Sequence, residues 1–311
     1  MKKCLVTGGA GFIGSHLTEA LVERGDRVVV LDNLSTGKRQ HLSAVDRQID
    51  FQRGDIRDQP LLESLLQGVE LVFHQAAFVS VPLSLEEPDE CFAVNTAGTM
   101  NLISAARKAG VRRLVIASSA AVYGDQQQVP LGEEALPRPL SPYAASKAAG
   151  EIYAGMNQAA FNFNIVALRY FNVYGPRQSP ESDYAAAIPI FIDRLLDRRS
   201  PVIFGDGGQT RDFIHVRDVV RANLLAAGAD AAAGRTLNIC SGEETSILQL
   251  VELLKEILNS DPGIKFAKER PGDVYRSVGD PARAVETLGF RPQVSLRQGL
   301  KETASWMAEK R

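Results

Sequence analysis

Cysteine is scarce in this chain, with three among 311 residues. They stand at Cys4, Cys91 and Cys240, an odd set without paired spacing, so neither a disulfide framework nor a zinc knuckle is written into the sequence. A reducing compartment, the cytoplasm, is the expectation. Charge of one sign is lacking too: 35 Lys and Arg against 37 Asp and Glu leave a net charge of −2. This balance excludes a protein that tracks nucleic-acid phosphates or lies on a membrane through a polybasic face, while leaving room for a local basic pocket around a small anion. No apolar run approaches the ~20 residues of a membrane-crossing helix. The stretch after Met1-Lys2-Lys3 is too short for a signal-peptide core. His16, His41, His74 and His215 share no metal-ligand spacing, so no metal is expected.

What is present is enough chain for one large or two modest domains. A hydrophobic content of 45%, with 26 Gly and 15 Pro, removes the disordered and fibrous classes. Short runs rich in Val, Ile, Leu or Phe at 5–7, 28–31, 49–53, 71–74, 113–118 and 164–170 alternate with helical spacing at 14–24, 60–66, 88–108 and 144–161. Runs this short and apolar suit strands buried on both faces. Strand, helix, strand repeated at this pitch predicts a doubly wound parallel α/β sheet with right-handed crossovers. Gly25 and Gly110 fit helix C-terminal caps. Beyond Tyr170 the regularity weakens: 172–189 reads as a loop, followed by a helix at 190–196, a strand at 202–204 and a Gly-rich turn at 205–208. A helix at 216–228, an Ala-rich loop over 226–233, a strand at 236–239 and a helix at 247–258 complete the pattern.

Thr7-Gly8-Gly9-Ala10-Gly11-Phe12-Ile13-Gly14 sets glycines three apart between a strand and a helix. A side chain at Gly8 would block the turn, one at Gly11 would hold a pyrophosphate off the backbone, and one at Gly14 would spoil the packing of helix on strand. Asp32, at the end of the second strand, can accept from both hydroxyls of an adenosine ribose. The same carboxylate repels the additional phosphate of NADP, and Asn33-Leu34-Ser35 supplies no arginine to bind it; Lys38 and Arg39 lie a few residues on. NAD is the expected cofactor. Asp55, followed by Ile56, can reach an adenine amino group or cap a turn.

Tyr143 and Lys147 stand one helical turn apart. A phenol with a pKa near ~10 is a poor base at neutral pH, and lowering it by ~3 units takes about 4 kcal/mol of preferential stabilisation of the phenolate. Lys147 and an oxidised nicotinamide ring can supply that together, and Ser119, at the end of the fifth strand, can share the moving proton. On spacing alone, a surface pair and a strand-end cap are the competing readings.

With these residues in view, the chain resembles the extended short-chain dehydrogenase/reductases, and within them the nucleotide-sugar epimerases (UDP-glucose and UDP-N-acetylglucosamine 4-epimerases). Residues 7–14 are similar to the family's TGGxGFIG loop, 118–124 to SSxxVYG, 141–147 to SPYxxSK, 168–172 to LRYFN, 211–216 to RDFIHV and 270–273 to RPGD. The resemblance implies a Rossmann-like sheet over 1–172 with a return segment near 212–240, and a smaller C-terminal α/β domain from 173–211 and 241–311 that binds a UDP-sugar. It implies Tyr143 as catalytic acid and base, Lys147 as its electrostatic partner and nicotinamide-ribose ligand, and Ser119 as the proton-sharing hydroxyl. Around NAD it places Gly8, Gly11, Phe12, Ile13, Gly14, Asp32, Asn33, Asp55, Ile56, Ala76, Ala77, Asn95, Tyr143, Lys147 and Tyr170. Around the sugar nucleotide it places Ser119 and Tyr143 with Asn172, Arg211 and Arg270 as diphosphate and sugar contacts, Asp273 on the uridine ribose and Phe204 beside uracil. Guanidinium forks suit phosphate oxygens, and a carboxylate suits paired hydroxyls.

Relatives that dehydrate carry an Asp-Glu pair after the strand-end hydroxyl, and decarboxylating ones a Glu in the same stretch; here Ser119 is followed by Ala120-Ala121. A methyl group cannot move a proton. What remains is reversible oxidation and reduction at one carbon: a 4-epimerase in which Tyr143 takes the proton from the sugar 4-hydroxyl, the 4-keto sugar turns over, and the proton is returned. The alternatives are a UDP-glucuronate 4-epimerase, an oxidoreductase with net redox change, and a dinucleotide-sensing regulator without turnover. In the family a residue three before the Asp of a DxxKA-like segment gates the sugar pocket; that residue is Ser277, small enough to admit a 2-acetamido group, with Ser80 placed to hydrogen-bond it. The resemblance also implies a homodimer packed through 88–108 and 144–161.

Overall fold

Runs of Val, Leu and Ile alternate their side chains between two apolar faces and so form strands covered on both sides. A computed structural model describes residues 1–180, 186–269 and 274–311. Seven parallel strands make the main sheet: β1 (Lys3–Thr7), β2 (Arg27–Asp32), β3 (Ile49–Arg53), β4 (Leu71–His74), β5 (Arg113–Ser119), β6 (Ile165–Tyr170) and, returning late in the chain, β11 (Thr236–Ile239). Their spatial order, β11-β6-β5-β4-β1-β2-β3, reverses direction between β1 and β4, which opens a crevice at the carboxyl ends of those two strands. On one face, Val6, Val28, Val30 and Phe73 pack with Leu17 and Leu21 of α1 (Phe12–Glu23) and Val219 and Ala226 of α8 (Val216–Gly228). On the other, Leu5, Val29, Val72 and Ile116 pack with Leu62 of α2 (Gln59–Leu65), Leu102 of α5 (Thr99–Lys108) and Ala154 of α6 (Pro142–Phe161). Gly25 and Gly110 follow helix ends in the left-handed conformation, φ +83° and +71°.

Other elements complete the fold outside the main sheet. Two short helices, α3 (Val81–Glu86) and α4 (Pro88–Cys91), follow β4. Past β6 come β7 (Asn172–Tyr174), α7 (Ala187–Leu196), β8 (Val202–Phe204), β9 (Thr210–Arg211) and β10 (Phe213–His215). After β11 the chain adds β12 (Thr245–Ser246), α9 (Ile247–Leu258), β13 (Lys265–Ala267), β14 (Arg276–Ser277), α10 (Ala282–Leu288) and α11 (Leu296–Glu309). The strands pair β7 with β10, β8 with β13, and β9 with both β12 and β14. Ile188, Phe191, Ile203, Leu250, Leu254 and Leu300 form a separate core beneath them. No helix among the described residues is long and apolar enough to cross a membrane.

Three sequence expectations are corrected. The helix expected over 88–108 is broken into α4, a wide π turn at Phe92–Gly98, and α5. The extra residue of a π turn rotates a side chain out of helical phase, and here it brings Asn95 inward, where its amide bonds Phe78 and Ser146. The loop expected over 172–189 begins instead with β7, paired in parallel register with β10. The Ala-rich stretch 226–233 continues α8 to Gly228 and then forms a single tight turn, as alanine's high helix propensity allows.

Candidate functional site

At the mouth of the crevice, Gly8 adopts φ +67°, and a Cβ there would lie 2.5 Å from the Ala76 nitrogen. A Cβ on Gly14 would sit 2.1 Å from the Gly8 carbonyl oxygen, so α1 abuts the loop itself rather than the strand. Gly11 caps α1 without a side chain, and the first turn of α1 holds no acidic residue, which leaves the amide groups at Phe12, Ile13 and Gly14 facing a place suited to an anion. Asp32 is buried at the end of β2, its two oxygens accepting from the Ala10 amide at 2.9 Å and the Leu34 amide at 2.8 Å. Gly37, which sequence reasoning missed, packs against this carboxylate: a Cβ there would lie 2.9 Å from both oxygens.

The loops after β2 and β3 are tied by Asn33, which donates to Asp55 at 3.0 Å. Arg57 also donates to Asp55, through Nε at 2.9 Å and Nη2 at 2.8 Å, and these bonds hold its carboxyl down to about 2. The Asp55 carboxylate also accepts from the Arg57 amide at 2.8 Å, which caps its own turn. Ile56 beside it is buried. Ala76 and Ala77 follow β4, where Gln75 donates to Thr7 through its backbone and to Tyr170 through its side chain at 3.1 Å. Asn223 of α8 donates to the Tyr170 hydroxyl at 2.8 Å, completing a polar triad that sequence reasoning missed, and burial pushes the Tyr170 phenol up to about 12. Asn95 takes both backbone groups of Phe78, at 2.7 and 3.0 Å, so it holds the loop that carries Ala76 and Ala77.

The structure brings Ser119, Tyr143 and Lys147 together. Ser119 ends β5 and caps the tight turn Ala120–Tyr123, accepting from the Ala121 amide at 3.1 Å. Tyr143 enters the first turn of α6, where Ser141 caps the helix and the buried Ser84 hydroxyl of α3 accepts from the Tyr143 amide at 3.2 Å. Burial raises the Tyr143 phenol above its ordinary value, against a hydrogen bond with Ser119 that lowers it. Lys147 Nζ stands 5.7 Å from the centroid of the Tyr143 ring and donates to the Ala117 carbonyl at 3.0 Å. Burial lowers its ammonium to about 8.

On the far side of the crevice, Asn172 of β7 donates through its side chain to the Asp212 carbonyl at 3.0 Å. Arg211 and Ser277 are partners in the parallel pairing of β9 with β14, and Arg211 Nη1 donates to the Thr210 carbonyl at 2.8 Å. Phe204 ends β8 beside a small cavity of about 60 Å³ shared with Asp206, Gln209 and Tyr275. Ser80 is the N-cap of α3, accepting from Leu83 at 3.1 Å. Arg270 and Asp273 lie outside the described residues. Asp212 lies within the RDFIHV-like motif, whose resemblance assigns it no role. Its carboxylate accepts from Ser241 twice, at 2.6 and 2.7 Å, from Gly242 at 2.9 Å and from Gly279 at 3.2 Å, joining three distant segments beneath Asn172 and Arg211. Burial holds that carboxyl above its ordinary value despite the four donors.

The histidines do other work: His74 bridges Thr7 at 2.7 Å and Thr99 at 2.9 Å, His16 and His41 meet the carbonyls of Pro176 and Ala10, and His215 caps α8.

The NAD dependent epimerase/dehydratase family model matches residues 4–240. The UDP-glucose 4-epimerase of Thermotoga maritima, solved with UDP-glucose, is 40% identical, superposes with a TM-score of 0.95 and is covered, like this chain, to 99%. A UDP-N-acetylglucosamine 4-epimerase of Methanobrevibacter ruminantium, in complex with UDP-N-acetylmuramic acid, is 38% identical with a TM-score of 0.96, over 100% of this chain and 99% of that one. A dTDP-glucose 4,6-dehydratase of Streptomyces venezuelae, solved with NAD bound, is 35% identical with a TM-score of 0.93, over 99% of this chain and 98% of that one.

Proposed function

Because the chain belongs to the NAD-dependent epimerase/dehydratase family, we propose that it is a UDP-hexose 4-epimerase, interconverting UDP-Glc with UDP-Gal and UDP-GlcNAc with UDP-GalNAc through a 4-keto sugar. The observation that carries this reading is the cluster of Ser119, Tyr143 and Lys147 with Ala120 and Ala121, not an acid, next along the chain. When bound, NAD supplies the acceptor and donor of hydride at the sugar C4.

The residues fit that group. Gly8 and Gly14 leave space that no Cβ could share, the α1 amides suit a pyrophosphate, and the buried Asp32 carboxylate suits ribose hydroxyls. Asn33, Asp55 and Ile56 border the adenine end, and Ala76, Ala77, Asn95 and Tyr170 the nicotinamide end. Tyr143 takes the proton from the 4-hydroxyl and gives it back at the other face, Ser119 shares it, and Lys147 holds the nicotinamide ribose and favours the phenolate. Asn172, Arg211 and Arg270 anchor the diphosphate, Asp273 the uridine ribose, and Phe204 walls the uracil, so that the hexose can turn while the nucleotide stays. In this reading 1–172 with the return segment 212–240 holds NAD, and 173–211 with 241–311 holds the sugar nucleotide.

The enzyme is a cytoplasmic homodimer in this reading, with the exposed apolar side chains of α3, the π turn and α6 covered by a second copy. Incubating purified protein with each UDP-sugar, without added cofactor, and separating the epimers tests the function. Interconversion is expected, and Tyr143→Phe lowers it at least ~100-fold while nucleotide binding persists. No interconversion of any of the four sugars, or full activity in Tyr143→Phe, refutes it.

A further inference from the structure

Three consecutive residues of β5 meet three successive turns of α6. Ser119 lies close enough to the Tyr143 phenol to lower it, the Ala117 carbonyl takes Lys147, and the hydroxyl of Ser118 donates to Glu151. Residues 143, 147 and 151 stand four apart, so they line one face of the helix. The first two rungs hold reacting groups; the third does not. Instead Glu151 is gripped by Arg169, Nε to Oε1 at 2.8 Å and Nη2 to Oε2 at 2.6 Å, with side-chain exposures of 5% for Arg169 and 7% for Glu151.

Such a pair is not explained by stability. A buried ion pair is often no more stabilising than apolar residues of the same shape, but a two-pronged Arg–carboxylate contact fixes distance and angle at once. Arg169 is also the register partner of Ser118 across β5 and β6. Its guanidinium lies 4.6 Å over the Tyr123 ring, and the Tyr123 hydroxyl donates to Asn238 of β11 at 2.7 Å. Tyr123 ends the tight turn that Ser119 caps. The pair therefore grips both flanks of the one turn on which the Ser119 hydroxyl is mounted, through Ser118 before it and Tyr123 after it.

We propose that Glu151, locked by Arg169 and Ser118, is a positioning residue that sets the Ser119 hydroxyl against the Tyr143 phenol. This rests on the acid–base role given to Tyr143 above. The charged and titratable groups around that phenol are Lys147 on its own helix and Cys91 of α4, with His74 of β4 facing Lys147; Ser119 of β5 is its hydrogen-bond partner. The Ser119 bond lowers the phenol, so loosening it raises the phenol and moves the acid limb of the rate profile to higher pH.

Ser118→Ala removes one hydroxyl and leaves the ion pair in place, so it tests the route without threatening the fold. Expected results are a kcat at neutral pH lowered about two- to ten-fold, the range of one hydrogen bond, with the KM for UDP-sugar and the NAD content unchanged. The ultraviolet titration of the Tyr143 phenol, read as wild type minus Tyr143→Phe, should shift upward in step. Glu151→Gln, which breaks the fork, should shift it further. An unshifted phenol titration in Ser118→Ala overturns the proposal, as does a loss of kcat in Ser118→Ala matched by equal losses of NAD content and melting temperature. Full turnover in Tyr143→Phe would instead overturn the assigned function, an outcome the substrate-free titration keeps separate.

Discussion

Ser277 and Arg211 face each other in parallel register between β14 and β9, and the Ser277 carbonyl accepts from the Asp212 amide at 2.9 Å. Side chains at such paired positions are close neighbours on the sheet, so bulk at 277 enters the space beside a proposed diphosphate anchor. Ser277→Tyr is expected to lower kcat/KM for UDP-GlcNAc and UDP-GalNAc at least ~10-fold, the worth of a steric mismatch of a few atoms, while UDP-Glc and UDP-Gal keep theirs. Kinetics on all four sugars check this; equal losses on every sugar would count against Ser277 as a gate.

Cofactor retention follows from the loop after β1. Perchloric-acid extracts of purified protein should contain NAD and no NADP. Gly14→Ala would place a Cβ 2.1 Å from the Gly8 carbonyl, a clash that only opening the loop relieves, so its extracts should hold at least ~10-fold less NAD. NADP in the wild-type extract would refute the role given to Asp32.

The second copy can be tested on α6. Ile152 is 71% exposed and Phe161 52%, with Phe92 of the π turn at 61%. A carboxylate at the centre of an apolar interface is left without a partner on association, so Ile152→Glu is expected to be a monomer in light scattering where the parent chain has twice the monomer mass. A parent chain that is itself monomeric at micromolar concentration removes the dimer.

Acid stability should be set in part by two buried histidines. Burial lowers His74 and His215 to about 3. In the unfolded chain each returns to ~6.5, so between those values the unfolded state holds the additional proton and stability falls as pH falls, by about 1.4 kcal/mol per pH unit per histidine. Above ~6.5 neither contributes a slope. Urea unfolding at a series of pH values, comparing the parent with His74→Gln, should show the acid slope reduced by one proton; an unchanged slope contradicts the assignment.

The fold was legible because buried parallel strands announce themselves. The apolar runs at 49–53, 71–74 and 236–239 and the helices at 216–228 and 247–258 match the observed bounds. The broken helix at 88–108 was not legible, since the π turn is dictated by the tertiary partners of Asn95 rather than by local propensity. That Tyr143, Lys147 and Ser119 meet was legible only through the family motifs in which they sit, since spacing alone left other readings open. Asp212, Gln75 and Asn223 could not be found, because their partners lie far off in sequence. Glu151 left one faint trace, its four-residue step from Lys147.

The four bonds to Asp212 also bear on the order of assembly during synthesis. Gly279 emerges from the ribosome 67 residues after the carboxylate it serves, and the loops that flank Asn172 and Arg211 stay unfastened until then. A nascent chain can therefore close most of its sheet with the sugar side still open, which delays a competent crevice until Gly279 has emerged.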